Sequence, residues 1–429
     1  MTQTVNYFQW TFGQKVAVRF FFLFFILYII LNPNGVLPKV DLLFNIYIEV
    51  FHKLIPWIAK HILHLSYDIT IFTNGSGDTT YDFVTLLFIF ITALTGCIIW
   101  SVLDRKRASY NKLYYWLTVI VRYYAAFTML TYGFVKVFKL QFPFPSLHKL
   151  VQPQGNASPM GLAWTFMGYS KGYNYFTGFA EVLGGLLLLF RRTTKAGAIV
   201  TCLVMGNVMA MNYCFDIPVK LLSTMIVIMS LFLMAKDMNR LIKFFILNKP
   251  TDPSITAAPA IRKRWLRYTL LGVKILLVGY TLIWTVKDSY GALDQYGDLA
   301  PKPPLYGIYD VQSFVKNNDT IPPLKTDATR WGKLIVDYTE YAQIRMINDS
   351  AQGYAFKPDT VAKKLIIYSY NDTANKATFA YTWPEKDILQ LNGRWGNDSL
   401  VISMKKFDLN NFRLISRGFN WINEYPYNR

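Results

Sequence analysis

Apolar runs of about twenty residues recur through the first two thirds of the chain, and strict alternation of apolar and polar residues takes over in the last third. Seven runs, at about 17–35, 82–102, 113–136, 172–190, 196–215, 218–235 and 266–286, each have the length a helix needs to cross a bilayer core. The pattern predicts a polytopic α-helical membrane protein of about seven spans.

The flanking charges give the runs a direction. Lys15 and Arg19 start the first; Arg105, Lys106, Arg107 and Lys112 lie between the second and third. Arg191, Arg192 and Lys195 follow the fourth, and Lys236, Arg240, Lys243, Lys249 and the 262–264 cluster separate the sixth from the seventh. All four clusters fall on one side if the N-terminus is cytoplasmic, so the positive-inside rule predicts that the C-terminal domain lies outside. The first run is long and no small-residue cleavage site follows it, so it is expected to remain as an anchor.

Between the first two runs, DLLFNIYIEVFHKLIPWIAKHILHL (41–65) carries Glu49, His52, Lys53, Lys60 and His61, with Pro56 in the middle. This is too polar to span comfortably and reads as an interfacial helix pair on the outer surface. His61 and His64 lie about a turn apart, which leaves open a metal site or a polar helix face; no third ligand is apparent.

After Val286, KLIVDYTEYAQIRM, KKLIIYSY, KATFAYTW, DILQLNG and SLVISMKK alternate and are separated by NDS, NDTANK and GND. They predict antiparallel hairpins closing into a C-terminal all-β domain, a small barrel or sandwich. The expected organisation is N-terminal spans with an outer interfacial segment (1–112), a four-helix core (113–236), a cytoplasmic linker (237–265), a last span (266–286) and an extracytoplasmic β domain (287–429). Asp319, Asp349, Asp359, Asp372 and Asp398 each open an Asp-(Ser/Thr)-apolar triplet, and Asp78 a looser one. These are similar to an O-glycan acceptor motif of Bacteroidetes-type bacteria, and equally good hairpin turns.

Composition supports the membrane reading: 53% of the 429 residues are hydrophobic and the mean hydropathy is +0.22. The net charge of +19 does not indicate nucleic acid, because the residues after Val286 hold 18 basic and 16 acidic side chains and the excess therefore sits in the loops between apolar runs. Three cysteines without a C-x-x-C pair indicate neither a disulfide scaffold nor a zinc site.

Ionisable residues inside spans are costly and are functional candidates by default. Arg122 in the third run and Glu181 in the fourth are expected to meet as a midplane ion pair, with Asn207 deep in the fifth completing an intramembrane polar cluster. Arg122, Ala125, Met129, Gly133 and Lys136 share one helical face; Thr177, Gly178, Glu181, Gly184, Gly185 and Leu188 share another, and their small residues permit close approach. Lys136, Asn212, Asp216 and Lys220 gather at the outer ends and are expected to form a polar mouth. The 142–170 loop is expected to cover that mouth as a partly re-entrant lid or to form a simple interfacial cap.

Arg122, Gly133 and Lys136, followed by Glu181-x-x-Gly184-Gly185, a leucine run and Arg191-Arg192, resemble the DoxX family of four-helix bacterial membrane proteins over about residues 113–236. LYGIYDVQSFV (305–315) and the terminal RGFNWINEYPYNR resemble the longer members with a C-terminal extracytoplasmic domain. The family's name comes from a subunit of a terminal quinol oxidase, so the resemblance implies a quinone connection and a redox partner. LYGIYDVQSFV also resembles the opening strand of lipocalin-like barrels, which implies an apolar cavity.

Two functions are therefore expected. One is binding of a lipophilic molecule, quinone or lipid, at the polar cluster, with the chain serving as accessory subunit of a quinone-linked complex. The other is a non-catalytic scaffold that presents the β domain to envelope partners. No cofactor is evident from the residues themselves, since none of the four histidines lies in the third to sixth runs to ligate haem. Membrane lipids are the expected partners and nucleic acid is not.

Overall fold

The structure is a computed structural model describing residues 10–33, 39, 41–71, 77–251 and 263–428. The chain divides into two compact units: a helical one, up to Phe142 and Lys171–Leu293, and a β one, Pro143–Ser170 and Asp294–Arg429.

In the helical unit, α1 (Phe12–Leu31), α2 (Asp41–His61), α3 (Thr80–Leu103), α4 (Asn111–Val137), α7 (Lys171–Leu189), α8 (Thr194–Cys214), α9 (Lys220–Ala235), α10 (Met238–Phe245) and α11 (Arg264–Gln295) cover all seven apolar runs. Their starts follow from capping. Thr11 and Gln14 form a reciprocal capping box for α1, and Thr79 and Asp82 one for α3. The first helix therefore begins about five residues before its apolar run.

Among the described residues α1, α3, α8 and α11 are long and apolar enough to cross a membrane by length and composition, and α9 with α10 adds a fifth if that pair, bent by 83°, counts as one span. The charged helices α4 and α7 fall short of that composition, and Lys136 of α4 is buried against Glu181 of α7. Helices α4, α7, α8 and α9 pack in sequence, and α9 returns to α4, so the four close a bundle; α1 packs on α3 and α4.

Two element boundaries differ from expectation. Helix α2 continues through Pro56 because Ile55 and Ala59 on either side of it are both buried against Val84 of α3, which holds the two halves on one line. Helix α11 runs to Gln295, nine residues beyond the apolar run, so the β unit begins later than 287. Of the predicted linker (237–265), residues 252–262 lie outside the described residues, and α10 occupies its beginning.

The β unit is a barrel. Strands β1 (Gly307–Lys316), β3 (Trp331–Tyr338), β4 (Tyr341–Met346), β5 (Ala351–Asp359), β6 (Lys364–Ser369), β7 (Asp372–Glu385), β8 (Ile388–Trp395) and β9 (Asp398–Lys406) pair antiparallel in chain order. Strand β9 pairs back onto β1 from Tyr309↔Lys406 to Lys316↔Leu400, closing eight strands; the two-residue β2 (Asp319–Thr320) extends β1 as a hairpin. Closure removes the exposed edges an open sheet would leave.

Alternation packs the interior. Leu334, Ile344, Leu365, Ile367, Phe379, Leu389, Leu391, Ile402 and Met404 have zero exposure, so no water-sized void touches them. Tyr309, Trp331 and Phe356 fill the remaining width. The interior is occupied by side chains rather than hollow, as an eight-stranded barrel of this composition allows.

The 142–170 loop clusters almost entirely with the β unit. Its residues from Pro143 belong to the β unit, where α5 (Leu147–Leu150) and Val151 cover the outward-facing Ile308 and Ile335, which sit opposite each other in register. Those two isoleucines break the barrel's outward polarity and need cover. His148 Nδ1 lies 3.0 Å from the Asp337 carboxylate, and Arg345 donates to the Val151 carbonyl at 2.8 Å. Helix α6 (Pro159–Tyr169), capped by Ser158, ends with the Tyr169 hydroxyl donating to the Arg417 carbonyl.

Candidate functional site: a buried lysine–glutamate pair

Glycine sets the contact between α4 and α7. A Cβ on Gly178 would lie 2.8 Å from the Val137 nitrogen and 2.9 Å from the Gly133 carbonyl oxygen, and one on Gly185 would lie 2.9 Å from the Ala126 carbonyl oxygen. The two backbones touch. Such close approach is what small residues provide where helices meet without a strong hydrophobic driving force.

This register decides which charges meet. Gly133 lies against Gly178 and Val182, and Leu130 against Gly185, so Glu181 faces the turn of α4 just before Lys136. The Lys136 ammonium donates to Glu181 Oε1, with the two residues 3% and 1% exposed. Glu181 Oε2 accepts no hydrogen bond among the described residues. The pair is desolvated on both sides.

Arg122 is not the partner of Glu181, contrary to the expectation of a midplane pair. In the glycine-set register Arg122 lies three to four turns away along α4, at the level of the α7–α8 turn, where it donates to Thr194 Oγ1 at 3.2 Å. Matching the middles of the two runs misaligned them, because α7 is shorter than α4. Arg122 instead lines a cavity of about 580 Å³ with Tyr114, Arg191, Arg192 and Lys195.

Asn207 does not join the cluster, since it is exposed on α8. Nor do the four mouth residues assemble as one site. Lys136 is committed to Glu181, whereas Asn212, Asp216 and Lys220 secure the α8–α9 turn. Asn212 Nδ2 donates to the Val219 carbonyl and Ser223 Oγ, both at 3.1 Å, and Lys220 Nζ reaches Asp216 at 2.9 Å.

Several polar residues with defined roles escaped the sequence reading. The Asp78 carboxylate accepts from the backbone nitrogens of Lys220 and Leu221 at 2.6 and 3.0 Å, capping α9 from a loop 142 residues away in sequence. Arg19, expected only as a flanking charge, is 2% exposed and donates to the Tyr110 hydroxyl, Ser101 Oγ and the Asp104 carbonyl, each at 2.9 Å. Tyr110 in turn donates to the Asp104 carboxylate, and this bond holds that carboxyl below the usual range. Asp237, 3% exposed, receives Lys195 at 2.6 Å and Arg240 at 2.7 Å. The available signal was the lone acid inside each basic loop.

Among the described residues no group of three or more His, Cys, Asp and Glu side chains is placed to hold a metal ion. The three cysteines are free.

No family model matches the chain, and no solved structure matches it. Over 127 residues, 29% of this chain, it is 38% identical to the "Uncharacterized protein YwoB" of Bacillus subtilis (strain 168), covering 79% of that protein. The chain belongs to the family of that protein.

Proposed function

We propose that this member of the YwoB family is a polytopic bacterial inner-membrane protein, DoxX-like in its four-helix core, that binds a lipophilic molecule with its polar end at the Lys136–Glu181 pair. The observation that supports this reading is the pair itself. A lysine and a glutamate buried between apolar helices cost free energy that an apolar pair of equal volume would not. A retained cost of this kind is expected where the charges serve a ligand.

The chemistry at the pair suits a quinone or a lipid ester. The Lys136 ammonium donates to a carbonyl or ester oxygen, and Glu181 Oε2, unoccupied by protein donors, accepts from a hydroxyl. A bound quinone would supply electron carriage; the chain contributes binding, orientation and a proton acceptor. In that role the protein is an accessory subunit whose redox centre belongs to a partner protein. The four basic loops face the cytoplasm, and the barrel lies in the periplasm.

A second reading is a non-catalytic scaffold that displays the barrel to envelope partners. It is favoured by one observation: neither Lys136 nor Glu181 lines the cavity around Arg122 or the one between Trp10, Phe21 and Phe232.

Mass spectrometry of the organic extract of purified full-length protein separates the two. Ligand binding predicts that a quinone or a defined lipid co-purifies with the wild type and is lost from Glu181→Gln while the protein still melts cooperatively. An identical extract from both proteins supports the scaffold.

A further inference from the structure

The cavity around Arg122 has a character of its own. It lies at the basic end of the bundle, between α4, the α7–α8 turn and the end of α9, and four cationic side chains line it: Arg122, Arg191, Arg192 and Lys195. Among the described residues no carboxylate lines it; Asp237, which is not in its wall, pairs with Lys195 and Arg240. Cationic side chains gathered in one cavity wall favour an anion within it.

Two buried polar groups in the wall lack protein partners. Arg122 is 8% exposed, and its Nε makes no hydrogen bond among the described residues, although Nη1 reaches Thr194. Tyr114 is 5% exposed, and its hydroxyl is likewise unbonded. A buried donor without an acceptor is costly, and two on residues that line one cavity point to a shared missing acceptor.

We propose that this cavity binds a phosphate ester, with the phosphoryl group held by Arg122 and Tyr114 and the exposed Arg191 and Arg192 at the entrance. Phosphate fits the donor set because a guanidinium presents parallel N–H groups to two phosphoryl oxygens and a further oxygen of the same group is left for the Tyr114 hydroxyl, which a halide or a carboxylate does not offer. A volume of about 580 Å³ exceeds what a bare phosphate fills and accommodates its substituent as well. Basic pockets between helices at the cytoplasmic face take anionic lipid headgroups by this chemistry, and a soluble phosphate ester presents the same group. The site is separate from the Lys136–Glu181 pair and does not depend on the reading given to it.

The test uses full-length protein in nanodiscs of phosphatidylcholine with and without phosphatidylglycerol, and in detergent with glycerol 3-phosphate. Native mass spectrometry reads lipid adducts, and a thermal shift reads the soluble ester. Retention of phosphatidylglycerol over phosphatidylcholine identifies a lipid headgroup; stabilisation by glycerol 3-phosphate identifies a soluble ester. In either case Arg122→Met and Tyr114→Phe weaken binding, the former about tenfold or more. Arg192→Gln changes an exposed side chain and keeps the fold, so it reports on the site even if Arg122→Met unfolds. Binding of neither probe, or equal binding by wild type, Tyr114→Phe and Arg192→Gln, overturns the proposal.

Discussion

Lys136 and Glu181 meet because Gly133 and Gly178 let α4 and α7 touch; the ion pair depends on the glycines as much as on the charges. Removing one partner leaves a buried charge with no counter-ion. Lys136→Met should therefore cost about 3–5 kcal/mol of stability, while the double variant Lys136→Met/Glu181→Leu should recover most of that loss. Unfolding of the detergent-solubilised protein followed by circular dichroism reads both. A double variant no more stable than the single would show that the pair is not coupled.

The glycine contact makes a second, independent prediction. An alanine at Gly178 drives a methyl group into backbone on α4, and no rotamer change relieves it. Gly178→Ala should cost about 1–3 kcal/mol through overpacking. Gly206, on α8, has nothing within 4 Å of an added Cβ, so Gly206→Ala should be neutral or stabilise by about 0.5–1 kcal/mol through helix propensity. The pair of melting curves separates contact from propensity.

The cap on α9 can be removed without touching the bundle interior. Asp78 satisfies two amide nitrogens that would otherwise lack acceptors at the first turn of that helix. Asp78→Ala should lower stability by about 1–2 kcal/mol, and amide exchange at Lys220 and Leu221 should rise sharply. Unchanged exchange at those two amides would mean that water caps the helix as well.

Acid should loosen the barrel at its turns. The Thr329 amide holds the Asp327 carboxyl below the usual range, the Ala362 amide does the same for Asp359, and Lys316 for Asp398. Each group has a depressed pKa in the folded state. Its contribution is therefore present above the unfolded carboxylate value near ~3.9 and is lost as pH falls through the lower folded value. A fluorescence titration of the barrel tryptophans should show stability falling below about pH 4, with a shallower fall in Asp398→Asn. A fall of equal steepness in that variant would remove Asp398 from the account. These same bonds give Asp359 and Asp398 a structural reason to stand in the turns.

The extent to which this molecule could be read from its sequence follows the range of the signals. The apolar runs and the period-two strands are local, and all of them became helices or strands near their expected limits. Gly178, Glu181 and Gly185 were recognised as one face, because helical spacing is local too. Which residue of α4 that face meets is a question of register between two helices, and runs of unequal length do not disclose it. Asp78 capping α9 and Arg19 bonding Tyr110 are contacts across the chain, visible beforehand only as an acid in a loop and a base at the start of an apolar run. The contact that the 142–170 loop makes within the β unit was hidden for a related reason. Its apolar residues match Ile308 and Ile335, whose outward direction shows only once the register of β1 and β3 is known.

That loop yields the last prediction. Leu147 is 2% exposed and packs on Ile308 and Ile335, each at zero exposure, while His148 and Arg345 secure the edges of the same contact. Leu147→Ala removes the centre of this cover and leaves the barrel interior, on the opposite face of the strands, as it was. The cost should be about 2–5 kcal/mol, expressed as local release of the loop rather than unfolding of the barrel. Limited proteolysis should cut the variant between 143 and 158 much faster than the wild type, with a β fragment that keeps its near-ultraviolet signal from Trp331 and Trp395. Simultaneous loss of that signal would show that the loop is part of the barrel's cooperative core rather than a clasp laid over it.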